Sequence, residues 1–193
     1  MLTLLLVNIF AYLCGSTLFG PIFAKFFKLG DLRTKGSGNI GATNIARISG
    51  NKWIGSLTAL CDCLKGIVPI VIAKHLDIDN ISLIGALVVI GHIFPIWNQF
   101  KGGKGIATFI GINLAINIKI GFFMCIIWLI VFCFKKISSL ASIIMVISCI
   151  IAHLILSHFI DIWLIIATAI LIIMKHKHNI VGLLHGSERA LRI

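Results

Sequence analysis

Long apolar runs separated by short, polar and mostly basic segments make up almost the whole chain. Leu2 to Ala24, Ile137 to Leu156 and Ile162 to Met174 are nearly free of charge, and a bilayer core of roughly 30 Å takes about 20 apolar residues per helix. The pattern predicts an all-α polytopic membrane protein with seven transmembrane helices, at about 3–24, 53–73, 81–98, 106–118, 120–134, 137–156 and 159–174. Asn113, Asn117 and Lys119 interrupt the stretch from Gly105 to Phe134 near its middle, so a hairpin is expected there rather than one tilted helix. No internal repeat or long linker divides residues 1–193, which are read as one integral membrane domain.

Composition agrees with this reading. Hydrophobic residues make up 59% of the chain and charged residues 12%, with a mean hydropathy of +1.09, and these values exclude an ordinary soluble domain. Lys25, Lys28, Arg33, Lys35, Arg47, Lys52, Lys101, Lys104, Lys135, Lys136, Lys175, Lys177, Arg189 and Arg192 fall on one side of a seven-span chain, fourteen of the 17 basic residues. Cytoplasmic loops carry such an excess. The N-terminus is therefore expected outside and the C-terminus in the cytoplasm, whereas fusing the fourth and fifth spans would move the basic tail outside.

A net charge of +11 confined to short loops, without interleaved aromatic residues, argues against nucleic acid and for an orientation signal or an anionic small ligand. The first run has no basic segment before it and no small-residue cleavage pattern, so it reads as a retained helix. Cys14, Cys61, Cys63, Cys125, Cys133 and Cys149 all lie in apolar stretches without a C-x-x-C pair, which favours packing over disulfides or metal. Trp53, Trp97 and Trp163 fall near span ends as interfacial anchors, and Trp128 falls inside a span as a packing residue.

Three segments on the basic side carry candidate chemistry. In Gly36–Arg47, GSGNIGATNIAR, the glycines permit tight turns that point N–H groups inward, and a short helix starting near Ala42 would aim its positive end at the same place. Thr43 and Arg47 would share a face of that helix, with Arg47 free to grip an oxyanion. The same segment also reads as a surface turn with an orienting arginine. In Gly91–Thr108, the core FKGGKG superficially resembles a phosphate-binding Walker loop, but Gly105 stands where Ser or Thr is needed and no strand precedes it. It reads either as a second anion cradle with Lys104 as point charge or as a glycine hairpin, and His92 reads as a satisfied helix histidine.

The third segment is the tail from Lys175, KHKHNIVGLLHGSERALRI, where Ile180, Val181, Leu183 and Leu184 predict a short interfacial helix. His176 and His178 would not share a helix face and lack companion ligands, so no metal is expected. Glu188 is expected to orient a cationic neighbour. Asp62 and Lys65 lie i, i+3 within a span, where charges are costly, and read as an intramembrane ion pair in a structural role.

Taken together, these segments resemble the acyl-phosphate:glycerol-3-phosphate acyltransferases of bacterial phospholipid synthesis. The first is similar to the family pattern through Asp31, Arg33, Gly36, Ser37, Gly38, Asn39, Gly41, Ala42, Thr43, Asn44 and Arg47. The second matches through Gly91, His92, Phe94, Pro95, Phe100, Lys101, Gly102, Gly103, Lys104, Gly105, Ala107 and Thr108. Asp62, Lys65, Gly66 and Pro69 resemble a shorter signature between them, and the tail matches at His176, Asn179, Ile180, Leu183, Leu184, Gly186 and Glu188 while departing at Lys175 and Gly182.

The resemblance implies seven transmembrane helices in the bacterial inner membrane, a site on the cytoplasmic face, and acyl transfer from acyl phosphate to the 1-hydroxyl of glycerol 3-phosphate. Lysophosphatidate and phosphate are the implied products, with no cofactor and no metal. Ser37, Arg47, Lys104, His176 and Asn179 are the implied catalytic residues. Gly38, Asn39, Gly41, Thr43, Asn44, Lys101, Gly102, Gly103, Gly105 and Glu188 are the implied substrate-binding ones. The first loop is assigned to one phosphate and the reacting carbonyl, the second to glycerol 3-phosphate, and the acyl tail to the membrane spans. The rival is a transporter of phosphate or an organic anion, which would place its binding groups near the midplane rather than at one surface. The His-x4-Asp motif of soluble-type acyltransferases is absent from the chain.

Overall fold

The computed structural model describes residues 1–156 and 162–191. Among them the chain is all helix and loop: α1 (Leu2–Ser16), α2 (Phe19–Phe26), α3 (Ala42–Ser49), α4 (Lys52–His75), α5 (Ile81–Ile93), a 3₁₀ turn (Ile96–Asn98), α6 (Ile106–Ile116), α7 (Ile118–Lys135), α8 (Ser138–Leu156), α9 (Ile162–Lys175) and α10 (Lys177–Leu184). Residues 159–161, where the seventh expected span begins, lie outside the described residues, as does Arg192.

By length and composition, four segments are able to cross a bilayer, Lys52–His75, Ile81–Asn98, Ile118–Lys135 and Ser138–Leu156. The two bent pairs, α1 with α2 at 40° and α9 with α10 at 59°, raise that number to six. The remaining expected span is α6, whose 11 residues reach only about 16 Å at 1.5 Å per residue, roughly half a bilayer core. Its short length is matched to its ends: Lys74 Nζ donates to the carbonyls of Ala115 and Ile116 at 2.6 and 3.1 Å, satisfying acceptors that the helix leaves open. The chain then restarts at Asn117, whose Oδ1 accepts from the N–H groups of Lys119 and Ile120 and caps α7.

The first apolar run, expected as one helix, is broken at Thr17. Pro21 sits in the first turn of α2 and has no N–H, so the carbonyl of Thr17 four residues earlier lacks a helical partner. Lys65 Nζ fills that vacancy at 2.5 Å and pairs with Asp62 at 2.8 Å, both residues being buried. Pro69 repeats the device inside α4 by freeing the carbonyl of Lys65, which accepts from Cys14 Sγ at 3.5 Å. The intramembrane ion pair thus ties the break in the first span to the middle of α4.

Helices α4 and α6 meet at Gly66 and Gly111. A Cβ on Gly66 would fall on the carbonyl of Thr108 and one on Gly111 on that of Cys63, so only glycine allows this backbone approach. Around it runs the main apolar core, with Ile70, Val88, Val89, Phe109, Ile112, Met145 and Ile172 nearly inaccessible. The outer faces carry exposed Leu60, Leu64, Val68, Phe122, Ile126 and Leu154, a continuous apolar exterior suited to lipid rather than water.

Candidate active site

Several loops and helix ends enclose one cavity of about 680 Å³ at the basic end of the helices. The first loop enters through Gly36, Ser37, Asn39, Gly41 and Thr43. Asn44 folds it from inside: buried at the start of α3, its Oδ1 accepts the N–H of Ser37 at 2.8 Å, while its Nδ2 donates to the carbonyls of Leu32, Lys35 and Asn39. Its amide is therefore occupied by the loop itself. Gly38, whose N–H goes to the carbonyl of Lys35, lies outside the cavity lining.

Helix α3 begins beyond Gly41 with no side-chain cap, and Gly41, Ala42 and Thr43 face the cavity. One turn on, the half-buried Arg47 guanidinium also faces it and, among the described residues, makes no hydrogen bond or ion pair. Burial lowers the Arg47 pKa and Arg189 does the same, with Glu188 opposing them. Thr43 Oγ1 lies 2.9 Å from Ser138 Oγ on α8.

The glycine-lysine loop contributes less than expected. Lys104 and Gly105 line the cavity, but Lys101, Gly102 and Gly103 do not. Their N–H groups donate to the carbonyls of Asn98, Ile93 and His92 at 3.0–3.1 Å, so the loop tapes itself to the end of α5 instead of forming an anion cradle. Gly103 is needed because His92 lies against it, where a Cβ would strike the ring. His92, expected as a satisfied histidine, has Nδ1 at 3.4 Å from Thr108 Oγ1 and 3.8 Å from Asp62, and with Asp62 it lines the cavity wall.

The tail closes the site through a chain of contacts. Lys104 Nζ donates to Asn179 Oδ1, Asn179 Nδ2 donates to Glu188 Oε1 at 2.7 Å, and Ser139 Oγ donates to the same oxygen at 2.6 Å. Burial lowers the Lys104 pKa, Glu188 opposes this and Arg47 adds to it. Gly182, one departure of the tail, packs beside Glu188, whose Oε2 would lie 2.9 Å from a Cβ there. Just past α9, His176 Nδ1 lies 2.8 Å from the carbonyl of Ile172. A carbonyl only accepts, so Nδ1 carries the proton and Nε2 is left as an acceptor. Burial is the main cause holding the His176 pKa down to about 4, and the ring is neutral at pH 7.

The loops reach more of the cavity than the motifs indicated. Ser138, Ser139 and Ser142 at the start of α8 line it, and Arg189 Nη1 donates to the carbonyl of Gly36 at 2.8 Å, joining tail to first loop. A serine pair at i, i+4 opening an otherwise apolar helix was the available signal. Trp128, expected as packing, stacks on Phe132 with centroids 4.8 Å apart and donates Nε1 to Ser142 Oγ at 3.1 Å. With Ile110 and Leu129 the two rings form the apolar part of the cavity lining.

A lipid-facing helical exterior and a cavity lined by both cations and apolar side chains define a helical integral membrane protein able to hold an anionic head and an apolar chain together. Within that class, the chain belongs to the glycerol-3-phosphate acyltransferase family, whose model matches residues 5–186, and it is an integral membrane acyltransferase. It is 42% identical over 188 residues to the glycerol-3-phosphate acyltransferase of Bartonella quintana (94% of this chain, 89% of the relative). It is 43% identical over 192 residues to that of Anaplasma marginale strain Florida (98% and 96%). The crystal structure of PlsY (YgiH), an integral membrane glycerol 3-phosphate acyltransferase, in its glycerol 3-phosphate form superposes with a TM-score of 0.91 at 40% identity, covering 97% of this chain and 95% of that one. The lysophosphatidic acid form gives 0.87 at 38% identity, covering 96% and 94%.

Proposed function

We propose that this chain transfers a fatty acyl group from acyl phosphate to the 1-hydroxyl of glycerol 3-phosphate, giving lysophosphatidate and phosphate without cofactor or metal. The reaction runs at the cytoplasmic face of a bacterial inner membrane that the chain spans seven times, N-terminus outside, with the bent α1–α2 pair and short α6 counted as spans. One observation carries the reading: Arg47 on α3 and Lys104 on the glycine-lysine loop line one cavity together with Ile110, Trp128, Leu129 and Phe132. Two phosphate-bearing substrates and one acyl chain need such a combination.

Arg47 and the uncapped start of α3 take the donor phosphate, with Ser37, Asn39, Gly41 and Thr43 around it. Lys104, held by Asn179 and through it by Glu188, takes the phosphate of glycerol 3-phosphate, with Gly105 beside it. Asn44 shapes the first loop, and Lys101, Gly102, Gly103 and Gly38 act through loop conformation rather than contact. An acyl phosphate is already an activated mixed anhydride, so positioning and charge stabilisation suffice. The glycerol hydroxyl oxygen bonds to the acyl carbon, the bond from that carbon to the phosphate oxygen breaks, and the proton passes to the departing phosphate. His176 Nε2 accepts a hydrogen bond from the hydroxyl and aims it. With its pKa held down to about 4, the ring is a much weaker base than the inorganic phosphate trianion that departs from a dianionic acyl phosphate, so phosphate is the final acceptor.

Purified protein given acyl phosphate and glycerol 3-phosphate should form lysophosphatidate, and acyl-CoA in place of acyl phosphate should not. Product from acyl-CoA alone would reassign the donor. Product from neither, with glycerol 3-phosphate crossing sealed vesicles, would favour the transporter.

A further inference from the structure

A second hollow, of about 520 Å³, opens beside α2 and shares no lining residue with the reaction cavity. Its floor is apolar, built from Pro21 and the buried Ala24, Leu32 and Ile40. Its rim carries Lys25, Lys28 and Arg33 against one acid, Asp31. Asp31 and Arg33 are already engaged: Asp31 Oδ1 accepts the N–H of Arg33 at 2.9 Å, and Arg33 Nη2 donates to the carbonyl of Lys101 at 3.1 Å. The neighbouring Lys35 is engaged as well, on the carbonyl of Leu29 at 2.7 Å. Lys25 and Lys28 differ from these. Among the described residues their ammonium groups have no hydrogen bond or ion pair, although both face the hollow.

Two further features bear on what fills it. Lys28 adopts the left-handed conformation at φ 54° where the chain leaves α2, an uncommon choice for a side-chain-bearing residue. Along α2, Ile22 and Phe26 are 48% and 76% exposed. An apolar face on one short helix, with Lys25 on it and Lys28 just past its end, matches the boundary between acyl chains and headgroups, where basic pockets recognise anionic lipid.

We propose that this hollow binds a phosphate-bearing headgroup, with the ammonium groups of Lys25 and Lys28 on the phosphate and the glycerol-ester region of a bilayer lipid on the apolar floor. The ligand class is a phosphodiester lipid of net negative charge such as phosphatidylglycerol, whose phosphate lacks the neutralising ammonium of phosphatidylcholine, and free phosphate shares its anionic chemistry. The inference is independent of the reaction assigned to the other cavity. A Lys25→Gln/Lys28→Gln variant leaves Arg33 on its loop and touches none of the residues placed in the reaction cavity.

The test uses the full chain in detergent with equal amounts of phosphatidylglycerol and phosphatidylcholine, and native mass spectrometry reads the retained lipid. The wild type should prefer phosphatidylglycerol by about thirtyfold, from two lysines at about 1 kcal/mol each near an anionic surface. The variant should fall towards parity while its acyl transfer and melting temperature stay unchanged. Equal retention of the two lipids by the wild type overturns the proposal, and so does a preference that survives the double substitution. Inorganic phosphate, added at millimolar concentration, separates the sources: retained phosphatidylglycerol supports the lipid as occupant, and its displacement assigns the hollow to free phosphate.

Discussion

Arg47 and Lys104 face the same cavity but do different work within it. Lys104 is engaged with Asn179, whereas Arg47 has no hydrogen-bond partner among the described residues. Removing either cation deletes a charge-assisted contact to phosphate, a loss of about 1.5–3 kcal/mol, or roughly one to two decades in kcat/KM. Arg47→Ala and Lys104→Ala should show that loss in steady-state assays while eluting as folded protein, and near-normal kinetics in both would reduce these cations to orientation signals. His176 supplies a pH signature. Burial favours its neutral ring in the folded state, so the unfolded chain takes up the proton first as pH falls. Its stabilising contribution is full above the ordinary value of 6.5 and is lost progressively down to about 4. Melting curves of wild type and His176→Asn should converge across that window, and kcat/KM should show no step near pH 6.5 from this group.

These residues also mark what the sequence could convey at this scale. Arg47, His176, Asn179 and Glu188 stand out through the family resemblance, and the structure brings all four to one cavity. The glycines at 102 and 103 were ambiguous, because a backbone N–H serves an anion or a carbonyl equally well. Only the folded end of α5 decided for the carbonyls of Ile93 and His92.

At the scale of elements, apolar runs and Asn117 located most helices, since length and capping are local properties. The break at Thr17 was missed although Pro21 marked it, because the compensating donor, Lys65, lies 48 residues away on α4. That arrangement makes Asp62 and Lys65 interdependent. Lys65→Met leaves Asp62 buried without its cation and the Thr17 carbonyl unmet, and Asp62→Asn leaves Lys65 without its anion. Each single change should destabilise by about 3–5 kcal/mol, whereas the double change should cost less than the sum. Thermal unfolding of the four proteins in one detergent checks this, and strict additivity would show that the pair is uncoupled.

For the whole molecule, the fourteen basic residues assigned to one side predict that Ser37, Lys104 and Glu188 all face the cytoplasm. The fold brings the three to one cavity, so they share whichever side the basic residues take. Single cysteines at these positions, in a background without the native six, should resist an impermeant thiol reagent in intact cells and react after permeabilisation. Labelling of any one from outside would overturn the orientation.

The apolar wall has a kinetic consequence. Leu129 on α7 lines the cavity and is 54% exposed, so on the proposed reading the acyl chain would reach the site along α7 from the hydrocarbon. A donor dissolved in the leaflet is then counted per unit of surface, while glycerol 3-phosphate is counted per unit of volume. Adding inert lipid at a fixed amount of donor and protein should slow the reaction in proportion to the donor's falling mole fraction, and diluting the same vesicles with buffer should leave the rate per enzyme unchanged once glycerol 3-phosphate is held constant. On the proposed reading, the enzyme meets its acyl donor in two dimensions.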